Sequence, residues 1–178
     1  MKRTTILALI GFTLSFGFPA QAQDPEATPL PTVNHSTLFT VGKAFLSDSY
    51  LSPLTYDGVS ISLLHDRIKA SPYLGGKLLM QQQFQIQTAV TKNPTASASE
   101  YYGEIRYHLT GFYPLLRTDH LTLMGGGGAA LSLGGIYNVR NSNNPGSLKT
   151  AVNLQLSAMA LYRWNDLTFR WQLSSPFA

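Results

Sequence analysis

The 178-residue chain has no cysteine. Disulfides are therefore excluded, as is a lipid anchor on an N-terminal cysteine. An exported domain without them must hold itself by a core or a closed sheet. Charge is also scarce. Asp, Glu, Lys and Arg make up 12% of the chain against 44% hydrophobic residues, where about 25% charged is usual for soluble domains. That composition argues against a fully wetted exterior. Past the first residues no apolar run reaches the roughly 18 residues of a membrane helix. No segment carries a 3.6-residue stripe between helix caps either. The basic excess is small: without Lys2 and Arg3, the 13 basic residues exceed the 9 acidic ones by only two. No basic patch points to nucleic acid.

The chain opens with "MKRTTILALIGFTLSFGFPAQAQ". Lys2 and Arg3 form a basic region, Thr4 to Phe18 an apolar one, and Ala20-Gln21-Ala22 a small-x-small cleavage site. Residues 1–22 thus read as a secretory signal peptide. A membrane anchor is the weaker reading, because the apolar run is shorter than the roughly 20 residues that span a bilayer. Residues 23–34, "QDPEATPLPTVN", hold three prolines and no periodicity. They read as a flexible leader before a domain over 35–178.

From there the pattern is strand upon strand. It predicts strands over 36–46, 58–69, 75–91, 99–112, 120–135, 148–163 and 167–174. Most are longer than the five or six residues usual in globular sheets, and long enough for the roughly 9–11 residues of a transmembrane barrel strand. The connections alternate. "SDSYLSPLTYD", "KNPTASA" and "IYNVRNSNNPGS" are long, whereas "ASPYL", "YPLLRTD" and Asn165-Asp166 are tight. Short turns on one side and longer loops on the other are the habit of outer-membrane barrels.

Alternate residues of a strand lie on opposite faces, and five strands divide by parity. One set is apolar: Val59, Ile61 and Leu63; Met80, Phe84 and Ile86; Ile105, Tyr107 and Leu109; Val152, Leu154 and Leu156; Leu167, Phe169, Trp171 and Leu173. The other is polar, and its centre is "LLMQQQFQIQT" with Gln81, Gln83, Gln85 and Gln87 on every second position. It continues in Ser60, Ser62, Asp66, Glu104, Arg106, His108, Asn153, Gln155, Ser157, Arg170 and Gln172. Gln82 breaks the pattern, and the first strand is ambiguous. A water-facing sheet would favour Lys and Glu. Neutral amides with a few pairable ions suit a packed lumen instead. Gln81, Gln83, Gln85, Gln87, Glu104, Arg106 and Arg170 are therefore assigned to a lumen network, with the apolar set outside.

Aromatics gather at both strand ends. Tyr73, Phe112, Tyr113, Tyr162 and Trp164 lie by the tight turns; Tyr50, Tyr56, Tyr101 and Tyr137 lie by the long loops. Two girdles are expected where a barrel meets both interfaces. The fold expected is all-β, an antiparallel up-and-down transmembrane β-barrel, nominally of eight strands. Seven are visible, and bacterial barrels have even numbers. The chain ends at "LSSPFA", so truncation before a final strand is expected.

The stretch "SDSYLSPLTYDG", residues 47–58, resembles a domain-of-unknown-function family of predicted outer-membrane proteins from the Bacteroides group. Asp48, Tyr50, Leu51, Ser52, Pro53, Leu54, Tyr56 and Gly58 match its pattern. Members continue beyond the position of Ala178 into a tyrosine-rich strand. The resemblance implies architecture and compartment but no reaction. Physically the stretch reads as an ordered loop: Pro53 fixes one dihedral and Asp57-Gly58 signals a turn. It is either a contact site or a loop packed over the barrel mouth, and the second is favoured because apolar loop residues usually cover something.

Catalytic motifs are sparse. "GGGG", Gly125 to Gly128, is followed by "AALSLGG" rather than the helix that a phosphate cradle needs. Glycines that let a sheet bend explain it better. His35, His65, His108 and His120 show no metal-ligand spacing. Glu104, Arg106 and His108 share one strand face and are the one group suited to acid–base work, with Ser60, Ser62 or Ser157 as serine partner. No catalytic, cofactor or metal residue is assigned. The expectation is an exported outer-membrane barrel, too narrow for a diffusive pore, with a structural or surface-binding role. Its partners would be membrane lipid, the barrel assembly machinery and an unidentified surface ligand. The alternatives are a lipid-modifying barrel enzyme and a secreted soluble barrel holding a hydrophobic ligand.

Overall fold

A computed structural model describes residues 33–177. Residues 1–22, read above as a signal peptide, and 23–32 of the expected leader lie outside these residues. Seven strands succeed one another: β1 (Val33–Leu46), β2 (Tyr56–Ala70), β3 (Leu79–Lys92), β4 (Ser99–Arg117), β5 (Leu121–Asn138), β6 (Gly146–Trp164) and β7 (Leu167–Pro176). Each pairs antiparallel with the next, in the order β1 to β7. The first strand starts at Val33, so Val33 and Asn34 belong to the sheet and not to the leader.

The meander is strongly curled into a half-barrel. Asp66 on β2 forms an ion pair with Arg170 on β7 at 2.5 Å, and Gln81 on β3 hydrogen-bonds Gln172 on β7. These strands are far apart in the sheet order, so only a curl brings them face to face. Glycine makes the bend possible. A Cβ on Gly126 would lie 2.3 Å from the Gly111 carbonyl oxygen, and one on Gly128 would lie 2.1 Å from that of Leu109. Neighbouring backbones approach too closely on the inner side for any side chain. The four-glycine run is thus a bend, as its apolar continuation suggests.

Two boundaries differ most from the sequence pattern. Residues 73–76, partly assigned to the third strand, form a short 3₁₀ turn, and β3 begins at Leu79. The connection over 71–78 is therefore not tight. Conversely β4 runs on through Pro114 to Arg117, with a register shift between Pro114 and Leu116. Proline is tolerated at such an irregularity because its missing N–H interrupts a ladder already broken there. The turn shrinks to 118–120. At the last hairpin Asn165 adopts φ 50°, the left-handed conformation that a two-residue turn demands.

Parity holds around the curl. On β1, Phe39, Val41 and Phe45 point outward, while Ala44 is buried. This strand is ambiguous in sequence because Leu38, Ala44 and Leu46 also occupy its inner face. The main apolar cluster of the inner surface lies toward the end where β2 meets β3 and β4 meets β5. There Ile68, Leu79, Phe112, Met124 and Met159 pack together, with Ala70 and Leu161 against them.

Candidate functional site

Above this apolar plug the interior is polar. Gln81, 1% exposed, donates from Nε2 to Asp66 Oδ1 at 2.8 Å and to Gln172 Oε1 at 2.9 Å. Gln172 returns a bond to Gln81 Oε1 at 2.9 Å. Arg170 closes on the other Asp66 oxygen. A buried carboxylate is costly without a cation and donors, and Asp66 has both. Next to Gln81 in register, Thr110 on β4 accepts from Gln155 on β6 at 2.9 Å. Gln83, Gln85 and Gln87 are half-buried on the same inner face, with Gln85 donating to Ser62 at 3.3 Å. Phe84 and Ile86 between them are exposed on the outside.

Glu104 and Arg106 pair at 2.6 Å along their own strand. The serines considered as nucleophiles are engaged elsewhere. Ser62 bonds Thr40 at 2.7 Å, Ser157 bonds Ser174 at 2.8 Å, and Ser60 donates to the Gly42 carbonyl at 3.4 Å. None of these bonds links a serine to His108.

At the long-loop end, the stretch 47–55 folds over the rim. Asp48 organises it: its backbone carbonyl accepts from Leu51 and Ser52 N–H at 3.0 and 2.8 Å, and its Oδ1 accepts from Tyr50 N–H at 3.0 Å. Ser52 Oγ then accepts from Leu54 N–H at 3.2 Å. This fold turns Leu51 and Ser52 inward and leaves Tyr50, Pro53 and Leu54 exposed. Tyr56 is buried at the start of β2, and Gly58 is required where a Cβ would meet the Val90 carbonyl oxygen at 2.0 Å.

Three ties fasten the loop to the far wall. Asn138 Nδ2 donates to the Tyr56 hydroxyl at 3.1 Å and to Glu100 Oε1 at 2.8 Å. Asn141 Nδ2 donates to the Leu51 carbonyl at 3.1 Å. Lys149 Nζ lies 2.8 Å from Asp48 Oδ2. Burial raises the Asp48 carboxyl, but Lys149, Ser147 and the Tyr50 N–H outweigh it and hold the group below its ordinary value. Glu100 sits one residue before the outward Tyr101, at the rim.

Glu100 and Asn138 are site residues that sequence reasoning missed. Parity places both on the inner face, but nothing local marks them as partners 38 positions apart. On the outside, Tyr101, Gly103, Gly135, Tyr137 and Leu148 line an open groove of about 600 Å³ with no charged residue in it.

A curled antiparallel meander with a polar, tightly bonded interior defines a β protein of the up-and-down barrel class. The chain belongs to a protein family of unknown function, DUF3316, whose model matches residues 5–178. This is the family that residues 47–58 resemble. No curated protein and no solved structure matches the chain.

Proposed function

We propose that this is an outer-membrane β-barrel protein of a Gram-negative, Bacteroides-type cell, exported by the general secretory route, with a structural or surface-binding role. The observation that carries the reading is the inversion of the two faces. Large apolar side chains stand exposed on all seven strands, from Phe39 and Ile61 through Ile86, Ile105, Leu131 and Leu154 to Trp171. Asp66, Gln81, Thr110 and Gln155 are buried inside. Bulk water would strongly disfavour that outer surface, whereas hydrocarbon favours it. A soluble barrel with a ligand cavity requires the opposite arrangement.

The interior supports a scaffold more than a pore or an enzyme, since its polar groups bond one another across the curl. Surface recognition then falls to the loop that exposes Tyr50, Pro53 and Leu54. The test is to express the full gene with its leader, fractionate the envelope, and run the membrane fraction on a gel with and without boiling. Outer-membrane location with a heat-dependent mobility shift is expected. A soluble periplasmic protein with no shift would overturn the proposal.

A further inference from the structure

We propose that Asp48 and Glu100, at the rim between the signature loop and β4, form a binding site for a hard divalent cation of the calcium class. The cluster has an imbalance of donors and acceptors. Glu100 is 0% exposed, and while Oε1 accepts from Asn138, Oε2 has neither a hydrogen-bond donor nor solvent. Asp48 beside it is better served: Oδ1 accepts from Tyr50 N–H, and the Lys149 ammonium lies 2.8 Å from Oδ2. One acceptor-only oxygen, Glu100 Oε2, is thus buried without a donor beside a second carboxylate from another element, and the two carboxylates interact electrostatically.

Lys149 compensates only part of this charge. Its ammonium contacts Asp48 Oδ2 from a side chain that is 52% exposed, so one carboxylate charge in the cluster has no counter-ion from it. Buried charges must be paired or bind a cation. Carboxylate, hydroxyl and carbonyl oxygens suit calcium, which tolerates irregular geometry and accepts water as a ligand. Asp48, Glu100 and the Tyr56 hydroxyl supply oxygens of this type. The flexible Lys149 stem can carry its ammonium into solvent when the ion arrives. Bound there, a cation would tie the 47–55 loop to the β4–β5 wall and fix the face that Tyr50 and Leu54 present. The inference rests on the rim cluster, and it holds whether the outer face meets lipid or water.

The test uses terbium as the probe, excited through tyrosine, on the folded full-length protein. Saturable luminescence that calcium displaces is expected. Glu100→Gln, which keeps the shape and the Asn138 partner, should weaken binding roughly tenfold or more, because ligand charge sets affinity at such sites. Asp48→Asn should do the same, and Lys149→Met should bind more tightly by removing the competing ammonium. Calcium should also slow hydrogen exchange at the Tyr50, Leu51 and Ser52 amides. Absence of saturable binding in both the parent and Lys149→Met would overturn the proposal, as would parent-like affinity in Glu100→Gln. A Glu100→Gln protein that melts higher than the parent, with calcium affecting neither, would assign the orphan oxygen to a proton and reject the metal.

Discussion

The side-chain amides of Gln81 and Gln172 each donate to the other's oxygen at 2.9 Å, although 91 residues and three intervening strands separate them. This reciprocal pair, with Asp66 and Arg170 beside it, stitches β7 to β2 and β3 across the interior. Gln81→Leu should therefore cost more than the loss of an average hydrogen bond. It strips a donor from buried Asp66, at about 1–3 kcal/mol for a buried unsatisfied group, and leaves half-buried Gln172 with only its longer bond to Ser174. Urea unfolding of the refolded protein measures it. Gln82→Leu on the outer face is the control and should be close to neutral or stabilising in a lipid environment.

Arg170→Met should be worse than its charge-free double variant. Removing the cation leaves Asp66, 2% exposed, as an unpaired buried carboxylate, a loss of about 3–5 kcal/mol. Adding Asp66→Asn should restore much of that, since the neutral amide still accepts from Gln81. A double-mutant cycle on unfolding free energies reads the difference directly.

Much of this architecture is legible in the sequence because its signal is local. A period of two over "MQQQFQIQT" needs no tertiary information to separate Phe84 and Ile86 from the glutamines. What sequence leaves open is what depends on the curl. Asp66 and Arg170 stand out as pairable charges, but their pairing depends on the bend at Gly126 and Gly128. The apolar plug of Ile68, Phe112 and Met124 obeys parity too, yet these residues sit on the face otherwise assigned to polar groups. Pro114 reads as a turn residue, and only the register shift beside it admits it to a strand. In the rim cluster, Asp48 and Tyr56 carry the family pattern, whereas Glu100 and Asn138 become visible only when the loop lies down on them.

The glycines should separate into two classes on substitution. Gly128→Ala places a Cβ 2.1 Å from the Leu109 carbonyl oxygen. The sheet must open to accept it, at a cost of at least about 1–3 kcal/mol. At Gly103 a Cβ meets nothing within 4 Å, so Gly103→Ala should be neutral or gain about 0.4–1 kcal/mol by restricting the unfolded chain. Refolding yield and unfolding midpoints of the pair test this.

Acid should release the rim loop before the sheet melts. Asp48 has a folded-state carboxyl below the ordinary 3.8, so its contribution is fully present above that value. The contribution is lost as pH falls through the depressed folded value. Cleavage by an acid-stable protease within 47–55 should therefore rise below about pH 3.8 while strand circular dichroism persists. Asp48→Asn should show the faster cleavage already at neutral pH, because it removes the Lys149 ion pair.

Whether the apolar face meets hydrocarbon is reported most directly by Trp171. It is 49% exposed on the outer face of β7, with the Phe169 ring centroid 6.1 Å away. With Trp164→Phe it becomes the sole tryptophan of a chain that has two. The measurement is its fluorescence after refolding the full chain into vesicles whose acyl chains carry bromine at mid-depth. Strong quenching by the brominated chains, with little effect of aqueous acrylamide, is expected. Free quenching by acrylamide with none from the brominated lipid would place Trp171 in water and overturn the membrane reading.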